Sequence, residues 1–389
     1  MVTSCRIRTL ALLAAATVAA GAMAACSSSS SQGSSAGGGG ASASSGADSA
    51  GMAAARAFMD KYLKAPTGVG ITQPLTKKPA PATVAAIEQV QPEATQENDY
   101  LQQATNVLGL KLVRIRLRTS PQAPAEAMEP ALKDNPKVIT DLAQPVRTFE
   151  AQLAQAKAHG IPVMETSDTD TPGNGLDSTG VNNQATTAIE GQMAAAWFVV
   201  DSGGKGQAAV YNIPEIPILG AFTTSFVSWV KKWCTGCTTS VDNMQAADIG
   251  TNIPGQVVSF QQSHPTYKYA IFCLGDMTLG LHAALQSAGL EGKIKVAGQA
   301  PAASDLQALK DGTETMWTAV SLPVIAWRNA DTIARLLNGE PLDGTDSAPL
   351  PTQILTKATI GSAKVDSNGN YVGFANYESV FKKLWHITG

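Results

Sequence analysis

Residues 268–312 constrain the fold of this chain more than any other stretch. They alternate apolar runs with helical patterns, namely a run at 269–274, a helix at 279–288, a run at 294–298 and a helix at 304–309. Strand, helix, strand and helix at this spacing predict a parallel sheet with helices packed on its faces. In such sheets, ligands bind beyond the carboxyl ends of the strands, where the strand order reverses. Asp276 and Gln299 follow the two predicted strands and are therefore candidate ligand residues.

The same alternation continues on both sides of this stretch and forms two halves. Strands are predicted at 83–90, 110–117, 137–141, 161–165, 207–212, 238–243, 315–320 and 353–356. Helices are predicted at 53–64, 94–108, 121–134, 184–201, 218–233, 254–263 and 324–338. Turn-forming residues at 166–181 separate the halves, so the chain is expected to cross there between two open α/β sheets. In the strand at 110–117, arginines alternate with apolar residues, which predicts an edge position.

The amino terminus has the features of an export signal. Arg6 and Arg8 precede a short apolar run, and small residues lead to Cys26. This pattern is typical of a secretory signal, here residues 1–25. A cysteine in this place resembles the bacterial lipobox, which implies that Cys26 is acylated and anchors the chain in the membrane; ordinary signal cleavage is the alternative. The Ser/Gly/Ala-rich segment 26–52 is predicted to be a flexible tether.

Composition and motifs exclude several function classes. The chain has 28 basic and 31 acidic residues without a basic stripe, so no nucleic-acid partner is expected. Beyond the leader, no apolar run is long enough to span a bilayer. No nucleophile elbow follows a predicted strand, and no His-Glu-x-x-His or phosphate-loop sequence is present. We therefore expect neither an enzyme nor a bound metal or cofactor.

The residues around Asp276 resemble those of a known family. A strand ending in Gly275-Asp276, a helix closing on Ala-Gly-Leu, and then Lys-Val-Ala-Gly resemble the second half of type I periplasmic binding proteins. Residues 160–163 and 335–341 are two further landmarks of this sugar-binding, two-lobed class, which serves bacterial ABC importers. The resemblance implies two Rossmann-like parallel-sheet lobes joined by a three-strand hinge. The N-terminal lobe would comprise 53–181 plus 323–350, and the C-terminal lobe 182–322 plus 351–389.

In this family the ligand lies between the lobes, on strand-end loops of both. Sequence position nominates polar residues on these loops and at the crossings: Gln91, Glu93, Asp141, Gln144, Ser167, Asp168, Asn183, Asn212, Glu215, Asp276, Gln299 and Ser321. Each of these side chains could instead cap the helix that begins at its loop. Phe222, Trp317 and Trp327 are aromatic candidates for stacking on a sugar, although the two tryptophans are expected in the core.

Two positions depart from the family's pattern. Where sugar binders carry Gly-Phe-Asp, this chain has Gly298-Gln299-Ala300, and no arginine opens the helix after the loop at 213–222. The missing carboxylate and guanidinium are both bidentate partners of hydroxyl groups. Their absence leaves open a ligand with fewer hydroxyl groups than a monosaccharide.

The segment Cys234-Thr235-Gly236-Cys237 fits a structural disulfide, a redox motif or half of a zinc site. The four histidines are scattered, and the segment follows a helical pattern where a redox motif would open a helix. Export favours the disulfide between Cys234 and Cys237. Cys273 lies inside an apolar strand and is predicted to be a buried free thiol.

The sequence therefore predicts a lipid-anchored, extracytoplasmic and monomeric solute-binding protein of an ABC importer. Closure of the lobes over a small sugar or sugar-like solute would present the closed form to a membrane permease. Two alternatives stay open. One is a sensor that presents its ligand to a membrane receptor, and the other is an extracytoplasmic α/β hydrolase.

Overall fold

The computed structural model of the chain describes residues 41–118, 120 and 122–387. The predicted leader at 1–25, Cys26 and the first part of the predicted tether lie outside the described residues. Among the helices of the described ranges, none has both the length and the apolar character that crossing a membrane requires.

The first sheet is fully parallel. Its strands are β1 (Thr83–Glu88), β2 (Lys111–Arg116), β3 (Val138–Leu142), β4 (Val163–Thr166) and β5 (Leu176–Ser178). They are arranged in the order β2-β1-β3-β4-β5. β2 is an edge strand, as its alternating arginines predicted, and Arg114 Nη2 lies 2.6 Å from Glu88 Oε2. Because the order reverses between β1 and β3, the carboxyl ends of these strands form a switch point.

The second sheet is parallel except for its last strand. Its strands are β6 (Gln207–Asn212), β7 (Thr238–Asn243), β8 (Tyr269–Phe272), β9 (Lys295–Gln299), β10 (Met316–Val320) and β11 (Thr352–Thr356). The order is β11-β10-β9-β8-β6-β7, with β11 antiparallel to β10. The order reverses between β6 and β8, which gives this sheet its own switch point.

Eleven α-helices connect and flank the strands in the described part of the chain. They are α1 (Ala41–Met59), α2 (Pro92–Leu108), α3 (Ala123–Lys133), α4 (Glu150–Ala158), α5 (Gln184–Asp201), α6 (Pro217–Trp233), α7 (Ile253–Ser263), α8 (Leu281–Ser287), α9 (Ala303–Asp311), α10 (Leu322–Asn338) and α11 (Tyr377–Leu384). Prolines occupy the first turns of α2, α6, α7 and α10, where no intrahelical donor is lost. Left-handed glycines end α2, α9 and α10.

The predicted fold class is confirmed, since two mostly parallel sheets are each flanked by helices. The chain crosses between the sheets after β5, between β10 and α10, and between α10 and β11. The first and third crossings pack tightly on each other. A Cβ atom at Gly180 would lie only 2.6 Å from the backbone of Asp346, and Ser178 Oγ donates to Asp346 Oδ2 at 2.7 Å.

The packing of α1 corrects the predicted boundaries at the amino-terminal end. α1 begins at Ala41, inside the predicted tether 26–52, and Gly51 packs closely on the backbone of Trp233. Its buried Ala55 belongs to the core of the second sheet, and the Phe58 ring lies 5.7 Å from that of Trp233. Residues 53–63 were assigned to the N-terminal lobe but pack on the C-terminal one.

The carboxyl-terminal helix α11 also packs on a different lobe from the one that was predicted. Residues 351–389 were predicted to lie in the C-terminal lobe, and β11 does join the second sheet. Trp385, however, stacks on Trp327 in the first core with 5.1 Å between ring centroids. Its Nε1 donates to Asp331 Oδ1 at 2.8 Å. The described chain thus crosses between the lobes twice more than predicted, before β1 and before α11.

Candidate ligand-binding site

A cavity of about 110 Å³ lies between the two sheets at the carboxyl ends of their strands. Its wall includes the loops that follow β1 and β3 in the first sheet and β6, β8 and β9 in the second. One buried water needs about 10–15 Å³ on this measure, so the cavity has room for several waters or a small solute. It therefore occupies the switch points of both sheets, where parallel α/β sheets bind ligands.

Strained backbone marks the same cavity wall. Four non-glycine residues of the wall have a left-handed φ, namely Ala143 at 57°, Ser167 at 57°, Asn182 at 54° and Ala300 at 51°. For residues with a Cβ atom this conformation costs roughly 1–2 kcal/mol each, and asparagine tolerates it better than alanine. Such strain concentrates at binding and catalytic sites, and here it coincides with the cavity wall.

Asp276 joins the two lobes across this cavity. It lines the cavity from the loop after β8, and its Oδ2 accepts a hydrogen bond from the Glu93 backbone N–H at 3.2 Å. Glu93 lies in the first turn of α2, where backbone N–H groups lack intrahelical partners. The Asp276 carboxylate therefore caps a helix of the other lobe and interacts favourably with its dipole.

The cavity wall is acidic. Four carboxyl groups line it: Glu93, Glu97, Glu190 and Asp276. Glu97 accepts from Asn329 Nδ2 at 3.1 Å, and Glu190 accepts from Thr318 Oγ1 at 3.4 Å. Burial raises the pKa of both Glu97 and Glu190 to about 8. Burial, followed by the charges of Asp276, Glu97 and Glu190, also raises the pKa of Glu93 well above its usual value.

These pKa shifts predict how the stability of the ligand-free protein depends on pH. A carboxyl group whose pKa is raised on folding stabilises the folded state below its unfolded pKa, and that stability is lost as pH rises through the folded value. The free energy of unfolding should therefore fall between about pH 5 and pH 8. Urea melts of the wild type and of the Glu97→Gln, Glu190→Gln double variant should show a shallower fall in the variant. Equal slopes would contradict the assignment.

Amide groups supply much of the remaining polar wall. Each of four lining amides donates one N–H to a protein oxygen: Gln89 to Ala143 O, Asn182 to Ser167 Oγ, Gln299 to Cys273 O and Asn370 to Tyr100 Oη. Gln299 Oε1 and Asn182 Oδ1 are buried and receive no donor from the described residues. Two of these amides therefore have an acceptor oxygen that is not bonded to a donor of the described residues.

The rest of the cavity wall is largely apolar. The apolar residues are Leu142, Ile216, Ile218, Leu219, Leu274, Val320, Leu322 and Ile325. Tyr371 adds an aromatic ring, and its hydroxyl donates to Gln353 Oε1 at 2.7 Å. A wall that combines apolar and polar groups suits a small solute with a hydrocarbon skeleton and several polar groups.

A family model described as the periplasmic binding protein domain matches residues 95–341. The chain belongs to this family. No curated protein sequence matches the binding protein.

Solved structures of solute-binding proteins share its fold. A sugar ABC transporter protein from Yersinia enterocolitica subsp. enterocolitica 8081 gives a TM-score of 0.66 at 18% identity, covering 84% of this chain and 99% of the other. The 5-methylthioribose transporter solute-binding protein of Thermotoga lettingae, in complex with 5-methylthioribose, gives 0.66 at 14% identity, covering 82% and 100%. An ABC transporter solute-binding protein of Agrobacterium vitis with bound allitol gives 0.63 at 18% identity, covering 72% and 97%. At these identities the likeness shows the fold alone.

Some of the predicted ligand residues of the binding protein do line the cavity. These are Gln91, Glu93, Ser167, Asp276 and Gln299. Each of them lies at the end of a strand or within a few residues after it, Glu93 in the first turn of α2, which is why their position could be read from the sequence. Their contact with a ligand stays a prediction.

Three other predicted residues do not line the cavity, and their side chains bond to protein groups. Asn183 caps α5 and accepts from the Ala185 and Thr186 N–H groups, while Ser321 caps α10 and accepts from the Val324 N–H. Asn212 bonds to Asn243 and Thr223 side chains, each at 3.0 Å. None of the three is among the residues that line the cavity, and their contact with a ligand stays a prediction.

The last four predicted residues are also placed away from the cavity wall. Asp141 lies on β3 opposite Glu165 of β4, so both point to one face of the sheet, and Asp168 joins Glu165 and Asp170 with oxygens within 4.8 Å. Burial, and then the proximity of the Asp168 side chain, raises the pKa of Glu165 to about 12. Gln144 is half-buried beyond the wall, and Glu215 is exposed to solvent.

Three functional candidates were missed from the sequence. Glu97 lies one turn after Glu93 on α2, and this i, i+4 spacing was the available signal. Glu190 lies two turns into α5 and Tyr371 lies in the carboxyl-terminal segment that contacts both cores, and neither directly follows a predicted strand.

The structure also shows where the three aromatic candidates and the predicted cysteines lie. Trp317 and Trp327 are buried in the cores as expected, and Phe222 is fully buried as well, so none of the three lines the cavity. Cys234 and Cys237 form a disulfide that connects the end of α6 to β7, and Cys273 is a buried free thiol. The disulfide and free-thiol predictions are confirmed.

Proposed function

We propose that this periplasmic binding protein is the lipid-anchored, extracytoplasmic receptor of an ABC importer and binds a small sugar or sugar-like solute between its lobes. The observation that carries the proposal is a cavity lined from both sheets and bridged by the Glu93–Asp276 hydrogen bond. The solutes bound in the solved structures of similar fold, allitol and 5-methylthioribose, support a sugar-like ligand.

The geometry supports binding by closure of the lobes. A solute in the cavity contacts both lobes at once, so it favours the closed arrangement by its differential affinity for that arrangement. The crossings at Gly180 and Asp346 pack closely, and they can act as the hinge about which the lobes rotate. The closed form would then be the one that a membrane permease recognises.

A thermal-shift screen of sugars, polyols, aromatic acids and amino acids tests the proposal. A solute present at a hundred times its Kd adds about 2.7 kcal/mol to the free energy of unfolding, which is a readily measured shift. Small-angle scattering with the best hit should then show a smaller radius of gyration. A hit that binds without compaction would contradict closure.

Membrane attachment is expected to depend on Cys26. One acyl chain binds a bilayer marginally, whereas two or more hold it stably, and the chain has no other predicted anchor. Cys26→Ala should therefore release most of the protein into the medium, as measured by immunoblotting of membrane and soluble fractions. Cys5→Ala is the matched control, because Cys5 lies within the predicted leader and should leave attachment unchanged. Retention of Cys26→Ala after a salt wash would contradict the lipid anchor.

A further inference from the structure

All charged residues that line the cavity of the binding protein, within its described residues, are acidic. Glu93, Glu97, Glu190 and Asp276 line it, and within the described residues no lysine, arginine or histidine does. A buried carboxylate without a cationic partner is costly, since its charge is neither hydrated nor neutralised. The wall as it stands therefore lacks positive charge.

Among the uncharged polar groups of the wall, two amides also keep an acceptor oxygen without a donor from the described residues. Gln299 is 3% exposed, its Nε2 is engaged by the Cys273 carbonyl, and its Oε1 receives no donor from the described residues. Asn182 lines the cavity in the same way, with Nδ2 on Ser167 and Oδ1 unpaired. An unsatisfied buried acceptor costs about 1–3 kcal/mol, which a donor on the ligand would recover.

We propose that the solute carries at least one protonated amine, which is received by the carboxylates of Glu97 and Glu190. The inference rests on the proposed function and narrows its ligand class. An ammonium group offers donors and no acceptor, so it complements a wall of acceptors, whereas a carboxylate or phosphate on the ligand would be repelled. A neutral polyol would satisfy the acceptors but leave Glu97 and Glu190 protonated, whereas an ammonium group supplies the counter-charge of their ionised forms. The apolar residues of the wall, among them Ile218 and Leu219, would cover the hydrocarbon part of the solute.

The acidic wall also predicts a coupled proton transfer. Glu93 and Asp276 are the other titratable acids that line the cavity, and burial, together with the charge of Asp276, raises the pKa of the nearby Asp305 to about 7. An ammonium ion placed among these acids lowers their pKa values, so carboxyl groups that are protonated in the free protein at pH 7 lose protons on binding. Calorimetry in two buffers of different ionisation enthalpy measures this release. A neutral solute should release far fewer protons.

Matched pairs of solutes test the proposal on the full-length, folded protein. Three pairs differ only in one or two amines: glucosamine with glucose, 1-amino-1-deoxyglucitol with glucitol, and putrescine with 1,4-butanediol. We expect at least one amine to bind, with its neutral counterpart at least about tenfold weaker, as a charge-assisted hydrogen bond implies.

Substitutions then locate the interaction. Glu97→Gln and Glu190→Gln keep the side-chain shape and should each weaken amine binding by about tenfold to a hundredfold, while proton release falls. Glu215→Gln is the matched control, because it removes the same charge from an exposed position outside the cavity and should leave affinity unchanged. Circular dichroism melts confirm that each variant is folded.

Each remaining outcome decides against the inference. Equal or tighter binding of the neutral partners would overturn the amine assignment while leaving the proposed function intact. Binding of Ca²⁺ or Mg²⁺ alone with the same dependence on Glu97 and Glu190 would replace the amine with a metal ion. Binding of none of the six compounds, nor of any solute in the thermal-shift screen, would overturn both the inference and the proposed function.

Discussion

Asp276→Ala is expected to weaken solute binding by about 2–3 kcal/mol, roughly thirty- to a hundredfold, if Asp276 makes a charge-assisted bond to the ligand. The carboxylate lines the cavity and bonds to the Glu93 N–H, so its loss affects both the ligand and the contact between the lobes. Calorimetric titration of the wild type and the variant measures the change. Asp276→Asn should recover part of the loss, because it keeps an acceptor oxygen.

The same variant separates a ligand role from a purely structural one. If Asp276 acted only as a cap of α2, its removal would cost about 1 kcal/mol of stability and leave affinity unchanged. Denaturant melts of the ligand-free protein, run beside the titrations, distinguish the two. Glu215→Ala is the matched control, since Glu215 also follows a strand of the second sheet but is exposed. Unchanged affinity in Asp276→Ala would move the binding site elsewhere.

Trp385→Ala is expected to destabilise the protein by about 3–5 kcal/mol, the range for removing a fully buried tryptophan. Trp385 is fully buried, stacks on Trp327 and donates to Asp331 Oδ1, so truncation creates a cavity and removes a donor from a buried carboxylate. Asp331 would then keep Arg335 Nε, at 2.8 Å, as its remaining partner among the described side chains. Urea unfolding measures the loss.

Trp229→Ala is the matched control for this prediction. Trp229 is only partly buried on α6, so its truncation should cost clearly less than that of Trp385. Equal costs in the two variants would contradict the packing of α11 on the first core. The comparison therefore tests whether the carboxyl-terminal helix α11 packs on the N-terminal lobe.

Much of the fold could be predicted because local patterns and global packing agree. α5, β6 and β7 have the bounds that periodicity predicted, and the alternating arginines of β2 placed it at a sheet edge. The ends of the chain were predicted less well. Nothing in residues 41–52 or 377–385 states which lobe they pack on, because that choice depends on long-range contacts such as Phe58 with Trp233 and Trp385 with Trp327.

Residues of the site could be predicted only where they lie at or shortly after the end of a strand. Asp276 and Gln299 lie at such ends and line the cavity, whereas Asp141 and Asp168 lie at similar places and do not. Asp141 is paired opposite Glu165 inside the sheet, and Asp168 accepts a hydrogen bond from the Asp170 N–H of its own loop. Neither arrangement can be read from a sequence. Side-chain direction after a strand therefore has to be seen in the structure.

Hydrogen–deuterium exchange with and without the tightest-binding solute tests the central claim, that a small solute binds between the lobes and closes them, most directly. We expect simultaneous protection at cavity segments of both sheets, namely residues 89–97, 187–190, 274–276 and 299–302. The segments of α4 and around Asn243, which do not line the cavity, should change little. Protection confined to one lobe, or strongest outside these segments, would contradict the account.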